Sequence, residues 1–284
     1  MSYLPKFSNL KTGALFLAVS FFLGACVDLS EVEKFAALSE TANASFPGLV
    51  ADIQNSCERR SNYAPEDKHQ DVLLHCKNLS TSKDGLLQAQ QVLLNYMEAL
   101  KNLSSDKTVT YGQKLDALPD ALSKAGLDDN QVKATTGLAK ILIDAAIGGY
   151  RRKELGKLVG ETNGDIQTLT LALKKVVSVG YATELDLEEE ASKAFYETNL
   201  KEHAKQEPLT ALLVKRRWAD DLDGVQKRKS AALAYGKVMD SIARGHQKLY
   251  DSRDRWSSEE LVKQLGPEIS DIYKSTQEVY KAFK

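Results

Sequence analysis

The sequence predicts an all-α protein, an elongated antiparallel helical bundle with long helices of the coiled-coil type. Two observations support this prediction. Apolar residues recur at spacings of three and four, which is the period of one helix face, and the strict alternation typical of strands is nearly absent. The stripes are separated by proline, glycine and short polar segments, which indicate six to eight helices joined by short connections.

The first half of the chain contains three predicted helical regions. The apolar stripe of the first region continues through a kink at Pro47-Gly48. The region ends at the turn of residues 61–65, where Pro65 suits the start of the next helix. A short helix containing Pro119 ends at Gly126. The apolar stripes of these regions are Ala42, Phe46, Leu49, Ile53 and Cys57; Val72, Cys76, Leu79, Leu86, Leu93, Met97 and Leu100; and Leu115, Leu118 and Leu122.

Asp128 and Asn130 have the first two spacings of a calcium-binding loop, but the glycine that such a loop requires is missing. We therefore expect Asp128 to cap a helix that ends at Gly148-Gly149, where the chain bends. The segment 148–164 is the best candidate for a hinge. The stripe of the capped helix is Leu138, Ile141, Leu142 and Ala145.

The second half predicts three longer helices. Pro208 separates the first two, Ser257-Ser258 supplies a cap for the last, and Glu188-Glu189-Glu190 is expected on a solvated face. The last helix keeps its stripe to the end of the chain, which predicts that it is docked. The stripes are Ile166, Leu169, Leu173, Val176 and Gly180; Val225, Ala232, Tyr235, Met239, Ile242, His246 and Leu249; and Leu265, Ile269, Ile272, Thr276, Val279 and Phe283.

The N-terminus has the pattern of an export signal. Lys6 and Lys11 precede an apolar run from Gly13 to Phe22, which is shorter than the ~20 residues needed to span a membrane. The run ends in Leu23-Gly24-Ala25-Cys26, which resembles the lipobox of bacterial lipoproteins. The resemblance implies that residues 1–25 are a signal peptide, that Cys26 is lipidated, and that residues 26–284 form the mature helical domain attached to a membrane.

In lipoproteins, aspartate directly after the cysteine tends to retain the protein at the inner membrane. Val27 stands there in this chain, so the resemblance implies the outer membrane and a domain facing the periplasm; Asp28, one place later, leaves the inner membrane open. Residues 1–25 hold two lysines and no acidic residue, so cleavage changes the net charge from −1 to −3. This balance gives no indication of a nucleic-acid partner.

Cys57 and Cys76 are predicted to form a disulfide that closes a helical hairpin, because an oxidising periplasm permits one. With 18 residues between them, the loop-entropy stabilisation is about 3 kcal/mol. The alternative is a zinc site that adds His69 and His75, which is less favoured because adjacent His75 and Cys76 point about 100° apart on a helix.

Other polar residues have structural interpretations. His246 lies in an apolar stripe and is expected to be a hydrogen-bonded core residue, whereas His203 should be exposed. The basic clusters 151–153 and 215–217 either meet anionic headgroups or are solvated helix ends, and the latter is favoured. Trp218 and Trp256 are expected to be buried rather than to anchor a partner.

The chain contains no nucleophile elbow, no His-Glu-x-x-His and no phosphate loop with its lysine. We therefore predict no enzyme and no cofactor, but a lipid-anchored cell-envelope protein whose partner is another envelope protein. The alternative function is a lipoprotein that binds a small ligand or a metal between its helices.

Overall fold

A computed structural model of the protein describes residues 27–112 and 115–283, so the predicted signal peptide and Cys26 lie outside the described residues. Within these ranges the secondary structure is helical and no strand occurs, which confirms the all-α helical bundle. The helices are α1 Ser30–Asn43, α2 Phe46–Ser61, α3 Glu66–Ser80, α4 Lys83–Ser104, α5 Leu118–Lys124, α6 Asp129–Ile147, α7 Leu155–Lys175, α8 Ala182–His203, α9 Pro208–Ser252 and α10 Ser258–Lys281.

A long helical hairpin forms the centre of the bundle. Helix α7 continues through a π-helix, Val176–Tyr181, directly into α8, and this continuous segment packs antiparallel on the 45-residue α9. At 1.5 Å per residue, α9 is about 65 Å long. We call the end where α7 begins and α9 ends the proximal end, and the end where α8 meets α9 the distal end.

The other helices cover this hairpin. Helix α10 packs along α9, and α1 lies against α10 and α4. Helices α4 and α6 cover α7, while α2 packs on α8 and carries α3 on its outer side. The core therefore runs along the hairpin and is thickest around α7 and the second half of α9.

Several local predictions are confirmed. Asp128 caps α6 in a capping box with Gln131, and the Ser257 hydroxyl accepts from the Glu260 backbone N–H at the start of α10. Gly126 ends α5 with a φ of +82°, a conformation that favours glycine. The stripe from Val225 to Leu249 is buried along α9.

Other local predictions need correction. The first predicted helix is two helices, because the chain turns at Ala44-Ser45 and Pro47 lies in the first turn of α2. Phe283 is 44% exposed although its stripe predicted burial. The candidate hinge 148–164 stays a prediction; the segment contains a turn with Gly149 at a φ of +62°, a short 3-10 helix at Arg152–Glu154 and the first half of α7.

The most informative correction lies in the π-helix. The sequence stripe placed Val176 and Gly180 on the buried face, but Gly180 is exposed and the buried residues are Val177 and Tyr181. A π turn accommodates one extra residue in a helix and so shifts the register of everything that follows. The regular helical period used for the prediction could not include that shift.

Candidate interaction surface

A groove of about 660 Å³ lies near the distal end, between α3 and α8. The turn between α2 and α3 closes one side of it through Tyr63 and Pro65. Val72, Ala191 and Phe195 give the groove apolar walls, and a few polar side chains stand at its edge. The polar residues that line it include Arg60, Lys68, Asp71, His75, Thr198 and Asn199.

An aromatic cluster adjoins the groove, and two of its members, Tyr63 and Phe195, line it. Tyr63 contacts Phe195 and Tyr196 at ring-centroid distances of 5.7 and 5.8 Å, and Trp218 stacks on Tyr196 at 5.9 Å. The Asp221 carboxylate accepts hydrogen bonds from the hydroxyls of Tyr63 (2.9 Å) and Tyr196 (2.6 Å). Phe195 is exposed, Tyr63 and Trp218 are partly buried, and Tyr196 is buried. Aromatic side chains that reach the surface are enriched where proteins bind one another.

Burial and the hydrogen bond to Asp221 raise the pKa of both tyrosines. The two hydroxyls therefore remain protonated at neutral pH. Because both donate to the Asp221 carboxylate, they hold the two rings in place. Trp218 is partly buried, as is Trp256, so the prediction that both tryptophans are buried is only partly correct.

The wall formed by α3 depends on the disulfide. Cys57 of α2 and Cys76 of α3 are joined, with a Cα–Cα distance of 5.4 Å, which confirms the predicted pair. Cys76 is the only fully buried side chain of α3, and Leu74 is largely exposed. Because α3 packs mainly on α2 and buries so little of its own surface, the disulfide is its main attachment.

The alternative zinc set does not assemble, because the two sulfurs bond to each other and His69 Nδ1 instead contacts the Ser61 carbonyl at 2.8 Å. His75 lies 3.2 Å from the carboxylate of Glu184, and together they approach Cys57 closely enough for a shared metal. The disulfide removes the Cys57 thiolate, so this group offers two ligand atoms, fewer than the four of a structural zinc site.

A buried network of charges lies behind the groove. The carboxylate of Glu188 in α8 accepts from Ser56 Oγ and Arg59 Nε, both at 2.7 Å, and from Arg228 Nη2 at 2.9 Å. Asp52 accepts two hydrogen bonds of 2.9 Å from Arg59, and the Tyr181 hydroxyl donates to it as well. Two carboxylates and two guanidiniums thus balance each other and join α2, α8 and α9.

This network corrects the prediction for residues 188–190. Glu188 is only 3% exposed, although the acidic run was expected on a solvated face. Burial lowers the pKa of Arg59, but the hydrogen bonds that its guanidinium donates to Asp52 and Glu188 outweigh burial and raise the pKa overall. The sequence contains one weak signal for the site, because Glu184 and Glu188 stand four residues apart and continue the buried face of Tyr181.

The hairpin extends beyond this network as an uncovered tip. From residue 197 to 224 no described side chain is fully buried, and α9 begins with three exposed leucines. Leu209, Leu212 and Leu213 are 72%, 64% and 62% exposed and share one side of the helix at spacings of three and four. The tip and the groove adjoin each other at Asn199, and together they form the distal surface.

His246 belongs to the core, as predicted. It is fully buried, Nε2 lies 2.5 Å from the Tyr96 hydroxyl, and Nδ1 lies 2.9 Å from Asn163 Oδ1. The Asn163 amide group donates to Gln247, so its oxygen is the acceptor and the histidine proton is on Nδ1. Burial lowers the pKa of His246 to about 3, so the ring is neutral at neutral pH. His203 is exposed, as predicted.

The helices of the described residues include none that is long and apolar enough to cross a membrane. Comparison of the chain with protein-family models, with curated proteins and with solved structures gives no match.

Proposed function

We propose that this chain is a bacterial lipoprotein of the outer membrane, anchored through a lipid on Cys26, that faces the periplasm and binds another envelope protein with its distal surface. The role is non-enzymatic: the domain holds a binding surface at a fixed distance from its anchor. Residues 1–25 are the signal peptide, and residues 26–284 form the mature domain, which begins with the lipidated cysteine.

The observation that carries this proposal is the position of the two ends. Val27, the residue after Cys26, lies at the proximal end, where Arg152 contacts its carbonyl oxygen. The exposed leucines lie at the start of α9, at the distal end. The length of α9 places them about 65 Å from the proximal end. A lipid at one end and an apolar surface at the other are the arrangement that a tethered binding protein needs.

The character of the distal surface supports a protein partner. It combines exposed leucines, an aromatic cluster and a few charged side chains at the rim, as protein interfaces do. The basic cluster Lys215 and Arg216 is exposed beside it. A soluble protein rarely leaves several neighbouring leucines exposed without a binding role.

In-cell photocrosslinking tests the proposal. A photoreactive residue at Leu212 should give one defined adduct in the envelope, and a second probe at Phe195 should give an adduct of the same mass. The matched control is Val262, which is 54% exposed on α10 and lies near the proximal end. Equal adduct patterns at Leu212 and Val262 would contradict a specific distal interface.

The groove also favours a second candidate, binding of a small apolar ligand. Its volume lies in the range of ligand sites, and its apolar walls carry a few polar groups. Native mass spectrometry of protein taken gently from the envelope separates the two candidates. A bound small molecule that Phe195→Ala removes, without any protein adduct at Leu212, would favour the ligand.

A further inference from the structure

Four segments that are far apart in the sequence converge at the proximal end. They are the start of the domain at Val27–Leu29, the loop after α4, the connection between α6 and α7, and the loop after α9. Together they enclose a surface cavity of about 630 Å³ beside Trp256. The charged side chains that line it are Arg151, Arg152, Lys153, Arg253 and Arg255, with Asp106 and Asp254 as the acids. We call this surface the basic end.

The basic end is positively charged, because the acidic groups around it are fewer than its cations. Glu154, at its margin, lies 3.4 Å from Lys153 and accepts from the Arg151 backbone N–H at 2.9 Å. Asp28, exposed between Val27 and Leu29, is a further acid. With Glu154 and Asp28 included, five cations outnumber four acids at this surface. Arg151, Lys153 and Arg255 are exposed, so their charges face solvent.

Helix electrostatics account for only part of this charge. The C-terminus of α9 carries partial negative charge and favours Arg253, its C-cap residue, and Arg255. Arg151, Arg152 and Lys153 instead lie just before α7, whose N-terminus carries partial positive charge that disfavours cations. The acid at this helix start is the N-cap residue Glu154, which pairs with Lys153. Arg152 has a structural contact with Val27, but Lys153 is almost fully exposed. One acid does not offset three cations at this helix start, so a bound anion would be stabilised there.

The location indicates where the anion comes from. Val27 is covalently next to Cys26, so under the proposed function the basic end lies beside the bilayer to which the lipid attaches. Trp256 is partly buried, and its indole N–H donates to the Leu249 carbonyl at 3.2 Å while the ring lines the cavity. Tryptophan is enriched at the level of lipid headgroups.

We propose that the basic end binds the phosphate groups of anionic phospholipids. This inference rests on the proposed function for the position of the membrane, and it adds a second attachment beside the lipid on Cys26. Exposed cations close to a membrane surface attract anionic lipids additively. The contact holds the proximal end of the bundle against the bilayer, while the distal surface remains about 65 Å away along α9.

Fluorescence of Trp256 in reconstituted full-length protein tests the proposal. The chain has two tryptophans, so Trp218→Phe leaves Trp256 as the only one. The protein purified from the envelope is inserted into vesicles of brominated phosphatidylcholine, with or without phosphatidylglycerol. We expect phosphatidylglycerol to increase quenching of Trp256, and Lys153→Glu with Arg255→Glu to abolish that increase.

A matched variant controls for net charge. Lys215→Glu with Arg216→Glu makes the same charge change at the distal end and should leave the increase intact. Quenching that does not depend on phosphatidylglycerol, or that falls equally in both double variants, would overturn the proposal. Inorganic phosphate is tested alone: if it reproduces the full change in Trp256 fluorescence, the site binds soluble phosphate and the lipid assignment is wrong.

The intact mass of the same sample reports the lipid on Cys26 separately. A lipid-bearing chain without the phosphatidylglycerol effect would refute the basic end and leave the proposed function standing. A chain without lipid that still shows the effect would refute the anchor and leave the basic end standing.

Discussion

Replacement of Glu188 by glutamine is the sharpest test of the charge network behind the groove. The carboxylate accepts from Ser56, Arg59 and Arg228, and the residue is 3% exposed. Glutamine keeps the shape but presents an NH₂ group to guanidinium donors and removes the negative charge. Two guanidiniums then share one remaining carboxylate, that of Asp52.

The magnitude follows from the burial of the partners. Removing one partner of a buried ion pair costs about 3 to 5 kcal/mol. The Arg59 side chain is 32% exposed and keeps part of its hydration, so we expect the lower end, about 3 kcal/mol. For a domain of this size, that lowers the melting temperature by roughly 6 to 12 °C.

Urea unfolding followed by far-UV circular dichroism measures this change in the free energy of unfolding. Glu190→Gln is the matched control, since Glu190 is exposed two residues further along α8, and it should change the free energy by less than about 0.5 kcal/mol. Combining Glu188→Gln with Arg228→Met should cost less than the sum of the single changes. A loss below about 1 kcal/mol for Glu188→Gln, or strict additivity, would refute the network as a source of stability.

Three further predictions concern the anchor, the disulfide and the core histidine. Cys26→Ser should accumulate as unprocessed precursor without palmitate, and equal palmitate labelling of variant and wild type would remove the anchor. Reduction of Cys57–Cys76, or Cys57→Ser with Cys76→Ser, should cost about 2 to 4 kcal/mol and raise hydrogen exchange first in α3, because that helix has little other buried surface; unchanged exchange in residues 66–80 would contradict this. His246 has a folded pKa of about 3, below its unfolded value near 6.5, so the unfolded state takes up the proton first and stability is lost as the pH falls below about 6.5. Between pH 7.5 and 5 this should amount to about 2 kcal/mol in wild type and be absent in His246→Gln, and parallel pH profiles of the two proteins would refute it.

The sequence could predict the fold because helical period, caps and breakers are local signals. The stripe of α9, the Asp128 cap and the Gly126 terminator each depend on residues within one or two turns. His246 was predictable for the same reason, since its place in an apolar stripe implies a buried and hydrogen-bonded ring.

The charge network and the two proposed binding surfaces depend on contacts between distant segments. Glu188 meets Arg59 across 129 positions of sequence, and only its spacing from Tyr181 and Glu184 distinguishes it locally from its exposed neighbour Glu190. Residues 151–153 and 253–255 meet at the basic end because α7 and α9 are antiparallel, so that α7 begins where α9 ends. Pairings of this kind require the helix packing, which the periodicity of one sequence does not specify.

The π-helix has a consequence for how this chain tolerates changes in length. Buried residues between Leu169 and Leu185 recur in four successive steps of four, and each such step overshoots a regular helical turn by about 40°. The π turn holds about one residue more than a regular turn and so compensates for much of this excess rotation. Leu169 and Glu188 therefore both face the bundle. Deleting Ser178 would convert the π turn into regular helix, and the buried faces of α7 and α8 would keep their orientation. The same deletion at Thr168 would rotate the preceding part of α7 by about 100° relative to its neighbours. Among the positions of this long helical segment, the π turn is therefore where the chain can lose a residue at least structural cost.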